Sequence, residues 1–147
     1  MTQVTSRVLK VKATSIDARG PRFSAAITAV VLAAALATHS ILILVLQAAV
    51  FAIGAFVGPQ FTPYAKIFRK FVAPRLRGDV PTEDIRPPQF AQSVGLIFAL
   101  VGLVGLVANL PILFLIATGA ALAAAFLNAA FNYCLGCEVY LLLLRLR

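Results

Sequence analysis

Two long stretches of the chain carry no formal charge. Neither Phe23 to Ala65 nor Phe90 to Cys137 contains an Asp, Glu, Lys or Arg. Each stretch is about twice the ~20 apolar residues that a helix needs to cross a bilayer. Each stretch therefore predicts a hairpin of two membrane-spanning helices.

A short polar break divides each stretch. Thr38-His39-Ser40 interrupts the first, and Asn109-Leu110-Pro111 interrupts the second, where proline suits the start of a new helix. The spans are predicted at about Phe23–Ala37, Ile41–Val57, Phe90–Ala108 and Pro111–Phe131. The first is short for a full crossing, so we expect it to tilt or to recruit its flanks. The predicted fold is an all-α membrane protein with four transmembrane helices in two hairpins.

The composition supports a membrane protein. Of 147 residues, 61% are hydrophobic and 12% are charged, about half the ~25% that is usual in soluble domains. This excludes an ordinary soluble enzyme, a disordered chain and a secreted disulfide scaffold. The length allows a single membrane domain over residues 1–147. The net charge of +8 is more typical here of topology signals and lipid contacts than of nucleic-acid binding.

The basic residues fall into three segments, one before the first span, one in the central loop and one at the end of the chain. With four spans these segments lie on one side, which the positive-inside rule predicts to be cytoplasmic. Both termini are then cytoplasmic, and the two tight turns carry no charge. The segments contain Arg7, Lys10, Lys12, Arg19 and Arg22; Lys66, Arg69, Lys70, Arg75, Arg77 and Arg86; and Arg145 and Arg147.

A sequence motif recurs before each hairpin. Asp17–Ser24 and Asp84–Ala91 share the pattern D-x-R-x-P-x-F followed by a small residue. This predicts two repeats in the same orientation, about 17–77 and 84–147, related by an axis along the membrane normal. One interpretation is mechanical: proline starts the helix, phenylalanine anchors at the interface and arginine meets lipid phosphate. In the other interpretation, Arg19 and Arg86 flank a site for an anionic group or a partner. The sequence leaves both interpretations open.

Each hairpin is followed by a further segment. Pro63–Val72 predicts an amphipathic helix on the anionic membrane surface, and the chain after Asn132 predicts an interfacial helix at the equivalent place. Between the repeats, Pro74–Gln89 predicts a proline-rich and charged loop. The first of these helices would place Ile67, Phe68, Phe71 and Val72 on one face, opposite Lys66, Arg69 and Lys70.

The two cysteines form the only chemical motif, Cys134-Leu135-Gly136-Cys137. This spacing allows an intrachain disulfide and a lowered thiol pKa. A structural zinc site needs four ligands, and the single histidine, His39, is predicted at the opposite membrane face. No metal site within one chain is therefore expected. A metal shared between subunits, palmitoylation and inert packing remain alternatives to thiol–disulfide or sulfur-transfer chemistry.

Helix length places the pair at the membrane interface. A helix from Pro111 to Cys134 would reach ~35 Å, whereas the hydrocarbon core is ~30 Å thick. We expect a bend near Asn132–Gly136, with both cysteines in the first turn of a terminal helix, where the dipole favours thiolate. Glu138 is then either a proton acceptor or an ordinary first-turn acid.

Helix 4 of the prediction also carries polar side chains near the pair. Asn128 and Asn132 lie four residues apart, and Tyr133 follows directly. They either line a polar cleft that leads to the cysteines or form simple hydrogen bonds between helices.

The segment Phe131–Tyr140, with Asp17…Arg22-Phe23 and Arg86…Phe90-Ala91, resembles an uncharacterised bacterial membrane family, domain of unknown function 4395. The resemblance covers about residues 14–147, and the C-L-G-C element is its most specific part. Tyr133 stands where phenylalanine is common in the family. Its members are encoded beside thioredoxin-like and rhodanese-type sulfurtransferase proteins. The resemblance thus implies sulfur or redox work at the cytoplasmic face of a bacterial plasma membrane.

Three functions compete. The first is a thiol–disulfide or sulfur-relay protein that works with a thioredoxin-like or rhodanese-like partner through Cys134, Cys137 and Glu138. No cofactor is certain, although a membrane quinone is a possible electron acceptor, and enzymatic activity stays open. The second is a scaffold that docks a cytoplasmic partner through Arg19, Arg86 and the basic loop. The third, a transporter of a sulfur-containing anion, is disfavoured because the spans lack ionisable groups.

Small residues recur at four-residue spacing along the predicted spans, as in Ala25/Ala29/Ala33/Ala37. Such spacing lets membrane helices approach closely. It predicts a compact bundle, and a homo-oligomer or a larger membrane complex is plausible.

Overall fold

The computed structural model describes residues 15–76 and 82–146. Arg7, Lys10, Lys12, Arg77 and Arg147, which belong to the predicted basic segments, lie outside the described residues. The described elements are β1 (Ser15–Asp17), α1 (Arg19–Thr38), α2 (Ile41–Phe56), α3 (Pro63–Ile67), β2 (Thr82–Asp84), α4 (Arg86–Val107), α5 (Pro111–Phe131) and α6 (Leu135–Arg145).

The chain is an all-α membrane protein. Three helices, α1, α4 and α5, are long and apolar enough to cross a membrane. The fourth predicted span forms at its predicted place as α2, but its 16 residues make it shorter than the others. At 1.5 Å per residue it is ~24 Å long, against a hydrocarbon core of ~30 Å.

The helix starts show where sequence patterns succeed and fail. The bounds of α5, Pro111–Phe131, are those predicted. By contrast, α1 begins at Arg19 and α4 at Arg86, each about four residues before the predicted start. The predicted recruitment of flanking residues by the first span is thereby confirmed. The later predicted start of α4 is wrong, because the arginine of the D-x-R motif is the first residue of the helix and the aspartate just before it accepts its N–H.

Residues with left-handed backbone end three of the helices or turns. His39, Asn109 and Asn132 have φ angles of 52°, 59° and 53°. His39 and Asn109 lie in the two tight turns of the hairpins, and Asn132 follows α5. In the first turn, the Ser40 hydroxyl accepts a hydrogen bond from Ile43 N at 3.2 Å and caps α2.

The core lies between the four long helices. Its buried side chains come from all of them and include Leu32, Leu44, Phe51, Ala99 and Phe114. Glycines allow the helices to approach, because a Cβ on Gly105 would lie 2.6 Å from the Phe114 backbone nitrogen. The predicted role of small residues in close helix packing agrees with this arrangement.

The helices of the two hairpins pair crosswise. The main partner of α1 is α5, and the main partner of α2 is α4, while α4 also packs on α5. After the first hairpin α3 packs on α1, and after the second α6 packs on α4. The element order strand, long helix, helix, short helix thus occurs twice, in agreement with the repeated motif.

A short antiparallel strand pair joins the two repeats. Ile16 of β1 is opposite Glu83 of β2, and Ser15 and Asp17 are opposite Asp84 and Thr82. The sequence predicted only a loop here, because such short strands have no periodicity and depend on a partner from the other repeat.

The segment after α2 is less regular than predicted. Gly58, with φ 142°, leads into a 3₁₀ turn at Pro59–Phe61, and α3 then continues as a π-helical turn over Phe68–Val72. Of the four apolar residues predicted on one face only Phe68 is buried, whereas Ile67 and Phe71 are exposed. Within Phe68–Val72 the wider π turn does not keep the 3.6-residue period on which the predicted shared face depends.

Candidate functional site

The cysteine pair is positioned by a sharp break between α5 and α6. Asn132 adopts the left-handed conformation after Phe131, and Tyr133 N donates to Leu127 O at 3.3 Å. The chain then extends through Cys134, which is the N-cap of α6. The bend expected between Asn132 and Gly136, and the terminal helix after it, are confirmed.

Cys134 and Cys137 are joined by a disulfide, with their Cα atoms 5.1 Å apart. Cys134 Sγ also accepts a hydrogen bond from Cys137 N at 3.1 Å. Both cysteines are partly buried at the start of α6. In the reduced state, the same N–H and the positive end of the helix dipole would stabilise a thiolate on Cys134.

Glycine between the cysteines allows α6 to touch α4. A Cβ on Gly136 would lie 2.7 Å from Ala91 Cβ and 2.8 Å from Ala91 Cα, closer than packed atoms approach. Phe90 stacks with Tyr140 on the next turn of α6, with ring centroids 5.4 Å apart. The cysteine pair is thus fixed on α4 at two successive contacts.

The other predicted site residues divide into two groups. Asn128 and Cys134 line one cavity, whereas Asn132 and Tyr133 are exposed. Glu138 is exposed in the first turn of α6 and makes no ion pair within the described residues. Its position suits the dipole of α6.

The cavity beside Cys134 has a volume of about 400 Å³ and lies between α1, α4, α5 and α6. Four alanines of α5 and the apolar side chains Val94, Phe98 and Val139 form much of its wall. Its polar side chains are neutral: Thr28, Gln92 and Asn128. Sequence analysis missed Thr28 and Gln92, because a neutral polar residue inside an apolar run carries no signal of what it faces.

The arginines of the repeated motif are held by their own aspartates. Arg19 Nε and Nη2 donate to the two carboxylate oxygens of Asp17 at 3.0 and 2.8 Å, and Arg86 contacts Asp84 in the same way. Hydrogen bonding to the arginine holds the pKa of Asp17 and of Asp84 below its ordinary value. The motif thus forms a local ion pair at the start of each of these helices.

The remaining basic residues have different neighbours. Arg22 Nε donates to Ala129 O at 2.9 Å, so it neutralises the carbonyl end of α5. Arg69 donates to Gln60 O. Lys66 and Lys70 are exposed, and Lys70 Nζ lies 5.4 Å from the centroid of the Phe71 ring.

A second polar contact lies inside the first repeat. The Tyr64 hydroxyl donates to Oε1 of the fully buried Gln47 at 2.7 Å. Burial raises the pKa of Tyr64. This bond ties α3 to α2, and no sequence pattern indicates it because its partners belong to different elements.

No group of three potential metal ligands from His, Cys, Asp and Glu occurs within residues 15–76 and 82–146. The Cys134–Cys137 disulfide is therefore the candidate reactive centre in that part of the chain.

The helices and this centre define an all-α membrane protein with a Cys-x-x-Cys pair at the start of its last helix. Residues 16–145 match the family described as Domain of unknown function (DUF4395), and the chain belongs to this family. No curated protein and no solved structure matches the chain.

Proposed function

We propose that the protein exchanges electrons or sulfur between its Cys134–Cys137 pair and a soluble thioredoxin-like or rhodanese-like protein. The observation that carries this proposal is the disulfide at the start of α6, whose Cys134 sulfur receives the Cys137 N–H. A cysteine pair that can close a disulfide and stabilise a thiolate has both states needed for exchange.

The exchange has two balanced steps. A thiolate of the partner attacks one sulfur of the Cys134–Cys137 disulfide, which forms a mixed disulfide and releases the other cysteine as thiolate. A second thiol of the partner then attacks the mixed disulfide, loses its proton and leaves the partner oxidised and the pair reduced. In the sulfur-relay form, a thiolate of the pair takes the outer sulfur of a partner persulfide, and the partner keeps its thiolate.

The proposed location is the cytoplasmic face of a bacterial plasma membrane. The up-and-down helix order puts the start of α1, the start of α4 and the end of α5 at one end of the bundle. Arg19, Arg22 and Arg86 lie at this end, as the positive-inside rule requires of a cytoplasmic face. Glu138, exposed beside the pair, is our candidate for the group that accepts a thiol proton.

Trapping the mixed disulfide tests the proposal. We would reconstitute the full chain in lipid nanodiscs as Cys134→Ser and as Cys137→Ser, each with one thiol, and the double serine variant would be the control. Each would be mixed with an oxidised thioredoxin-like protein and, separately, with a rhodanese that carries a persulfide. We expect a reducible adduct or a transferred sulfur on one single variant, detected by mass spectrometry. If neither the adduct nor the transferred sulfur forms on either single variant, the proposal is overturned.

A scaffold that docks a soluble partner is the second candidate. The observation in its favour is that Lys66 and Lys70 expose their side chains at the end of the bundle that carries the cysteines. The scaffold and the thiol-exchange function predict different effects of substitution. For a scaffold, Lys66→Glu combined with Lys70→Glu would release the partner, whereas serine at both cysteines would not. Exposed apolar faces such as that of α2 would then contact lipid or a second copy of the chain.

A further inference from the structure

We infer that the cavity beside Cys134 binds the ring of a lipid-soluble quinone, which exchanges two electrons with the cysteine pair. This inference rests on the proposed redox function and adds its membrane-phase partner. It is carried by the place, the shape and the lining of the cavity.

The cavity runs from the cysteine end of the bundle towards the middle of the membrane-spanning helices. Along α4 its wall extends from Pro88 to Phe98, which is ~15 Å at the helical rise. Along α5 it extends from Asn128, near the end of the helix, to Ala120. Cys134 lines the end nearest the helix termini. A ligand in this space therefore has one end beside the sulfur and the other at the depth of the lipid chains.

The lining selects a neutral molecule from the lipid phase. Among the described residues, no Asp, Glu, Lys, Arg or His forms part of the wall, so a charged ligand would lose its hydration without a compensating partner. Leu135, Val139 and Phe98 line the cavity and also expose 43%, 41% and 36% of their surface. The cavity thus communicates with the outer apolar surface of the bundle.

Polar groups in the wall favour a ring with carbonyl groups over an acyl chain. Asn128 and Gln92 have amide groups, and Thr28 has a hydroxyl. Gln92 Oε1 is buried next to Gly54 without a hydrogen-bond partner, and its amide nitrogen would be the donor to a ligand in the cavity. An acyl chain would leave such donors without partners, whereas quinone oxygens accept their hydrogen bonds. A volume of about 400 Å³ is in the range of small-molecule sites.

The two sulfurs have different surroundings. Cys134 lines the cavity and Cys137 does not. In the reaction, the reduced pair gives two electrons and two protons to the quinone: both S–H bonds break, the S–S bond forms and the two carbonyl oxygens become hydroxyls. Cys134 is the sulfur that faces the quinone, and the regenerated disulfide then serves the soluble partner.

The test compares two alanines that follow one another on α5. Ala124 lines the cavity, whereas Ala123 is exposed on the outside of the helix. We would reconstitute the full chain, reduce it, remove the reductant and add a short-chain ubiquinone or menaquinone analogue. Loss of thiols and reduction of the quinone would be followed together. Ala124→Leu should slow both about tenfold or more, whereas Ala123→Leu should stay within about twofold of wild type.

A second variant tests the polar lining without filling the space. Gln92→Met is close in size and removes the donor, so it should weaken quinone binding while leaving the bundle folded. Native mass spectrometry of the unreduced protein would show which lipid-phase molecule occupies the cavity. Retention of phospholipid that the quinone does not displace would overturn the inference. So would thiol oxidation equal in wild type and Ala124→Leu.

These outcomes separate the inference from the function on which it rests. Formation of the trapped adduct with a soluble partner, with no reaction towards quinone, would retain the thiol exchange and remove the quinone site. Reaction with quinone without any adduct would retain the quinone site and remove the exchange with a soluble partner.

Discussion

A single glycine determines how closely the cysteine pair packs on the bundle. Gly136 lies between the cysteines, and the position of its absent Cβ is occupied by Ala91 of α4. Because Ala91 contributes backbone as well as side chain there, the contact cannot relax by a rotamer change. The C-L-G-C motif is therefore more than two sulfurs with a spacer: its glycine is a packing requirement.

Gly136→Ala should push α6 away from α4 and destabilise the protein by about 1–3 kcal/mol, the usual effect of an overpacked contact. Gly119→Ala is the matched control, because nothing lies within 4 Å of its added Cβ and alanine favours the helix. Thermal unfolding in detergent measures both. Adding Ala91→Gly to Gly136→Ala should restore only part of the loss, because the Ala91 Cα would still lie 2.8 Å from the added Cβ. A Gly136→Ala protein as stable as Gly119→Ala would contradict the close contact.

At the scale of elements, the D-x-R motif starts a helix. The Asp17 carboxylate accepts the Arg19 N–H at 2.9 Å and also the guanidinium, and Asp84 does the same for Arg86. One carboxylate thus satisfies an N–H of the first turn and neutralises the arginine beside it. The phenylalanines that follow also make equivalent contacts. Phe23 packs on Phe68, in the π-helical turn after α3, and Phe90 packs on Tyr140 of α6.

Asp17→Ala should cost about 1 kcal/mol of stability near neutral pH, which is typical of a lost helix cap. Since folding lowers the pKa of Asp17, its charge stabilises the protein above the ordinary value of 3.8 and loses this effect as the pH falls through the folded value. The difference in melting temperature between wild type and Asp17→Ala should therefore shrink at acid pH. Asp17→Asn, which retains an oxygen acceptor, should fall between them.

The equivalent Asp84→Ala should have the smaller effect, because the Asp84 side chain is 39% exposed and that of Asp17 only 21%. Measuring the two variants in parallel, at the same pH values, checks this order. A larger loss for Asp84→Ala would mean that exposure does not rank the two aspartates.

At the scale of the whole molecule, the two repeats depend on each other. The main contacts of α1 and α2 are with α5 and α4, and β1 pairs with β2. Arg22 adds a further link, since it reaches the last carbonyls of α5. The halves therefore form one unit, with the cysteine pair at its edge.

The strand register gives a direct test of this joint. In a protein with both native cysteines changed to serine, Ile16→Cys and Glu83→Cys should form a disulfide, because directly opposed strand residues lie within disulfide range. Maleimide labelling measures this disulfide, because two cysteines joined in a disulfide are no longer labelled. Ile16→Cys combined with Leu76→Cys is the control and should keep two free thiols. Labelling of both thiols in the Ile16/Glu83 pair would contradict the register.

Much of this molecule is encoded in local patterns, and the rest is not. The uncharged stretch and the position of Pro111 were sufficient to predict the bounds of α5. The length of that helix predicted a bend after it, and the bend placed Cys134 at the start of the next helix. The early start of α4 was missed because an arginine is counted as polar until its aspartate partner is known, and for α1 only the recruitment of flanking residues was expected. Of the three residues considered for a polar cleft beside the cysteines, only Asn128 lines the cavity, and Thr28 and Gln92 were missed because they belong to two other helices.

The crosswise pairing of helices has a consequence for biosynthesis. As the chain emerges, α1 and α2 reach the bilayer before α4 and α5, their principal neighbours, have been made. The buried amide oxygen of Gln47 is satisfied before then, because Tyr64 follows in the same half and donates a hydrogen bond to it, whereas the amide nitrogen has no partner among the described residues. The leading hairpin thus carries its own polar partner during insertion, while its apolar surfaces remain in lipid until the second hairpin arrives.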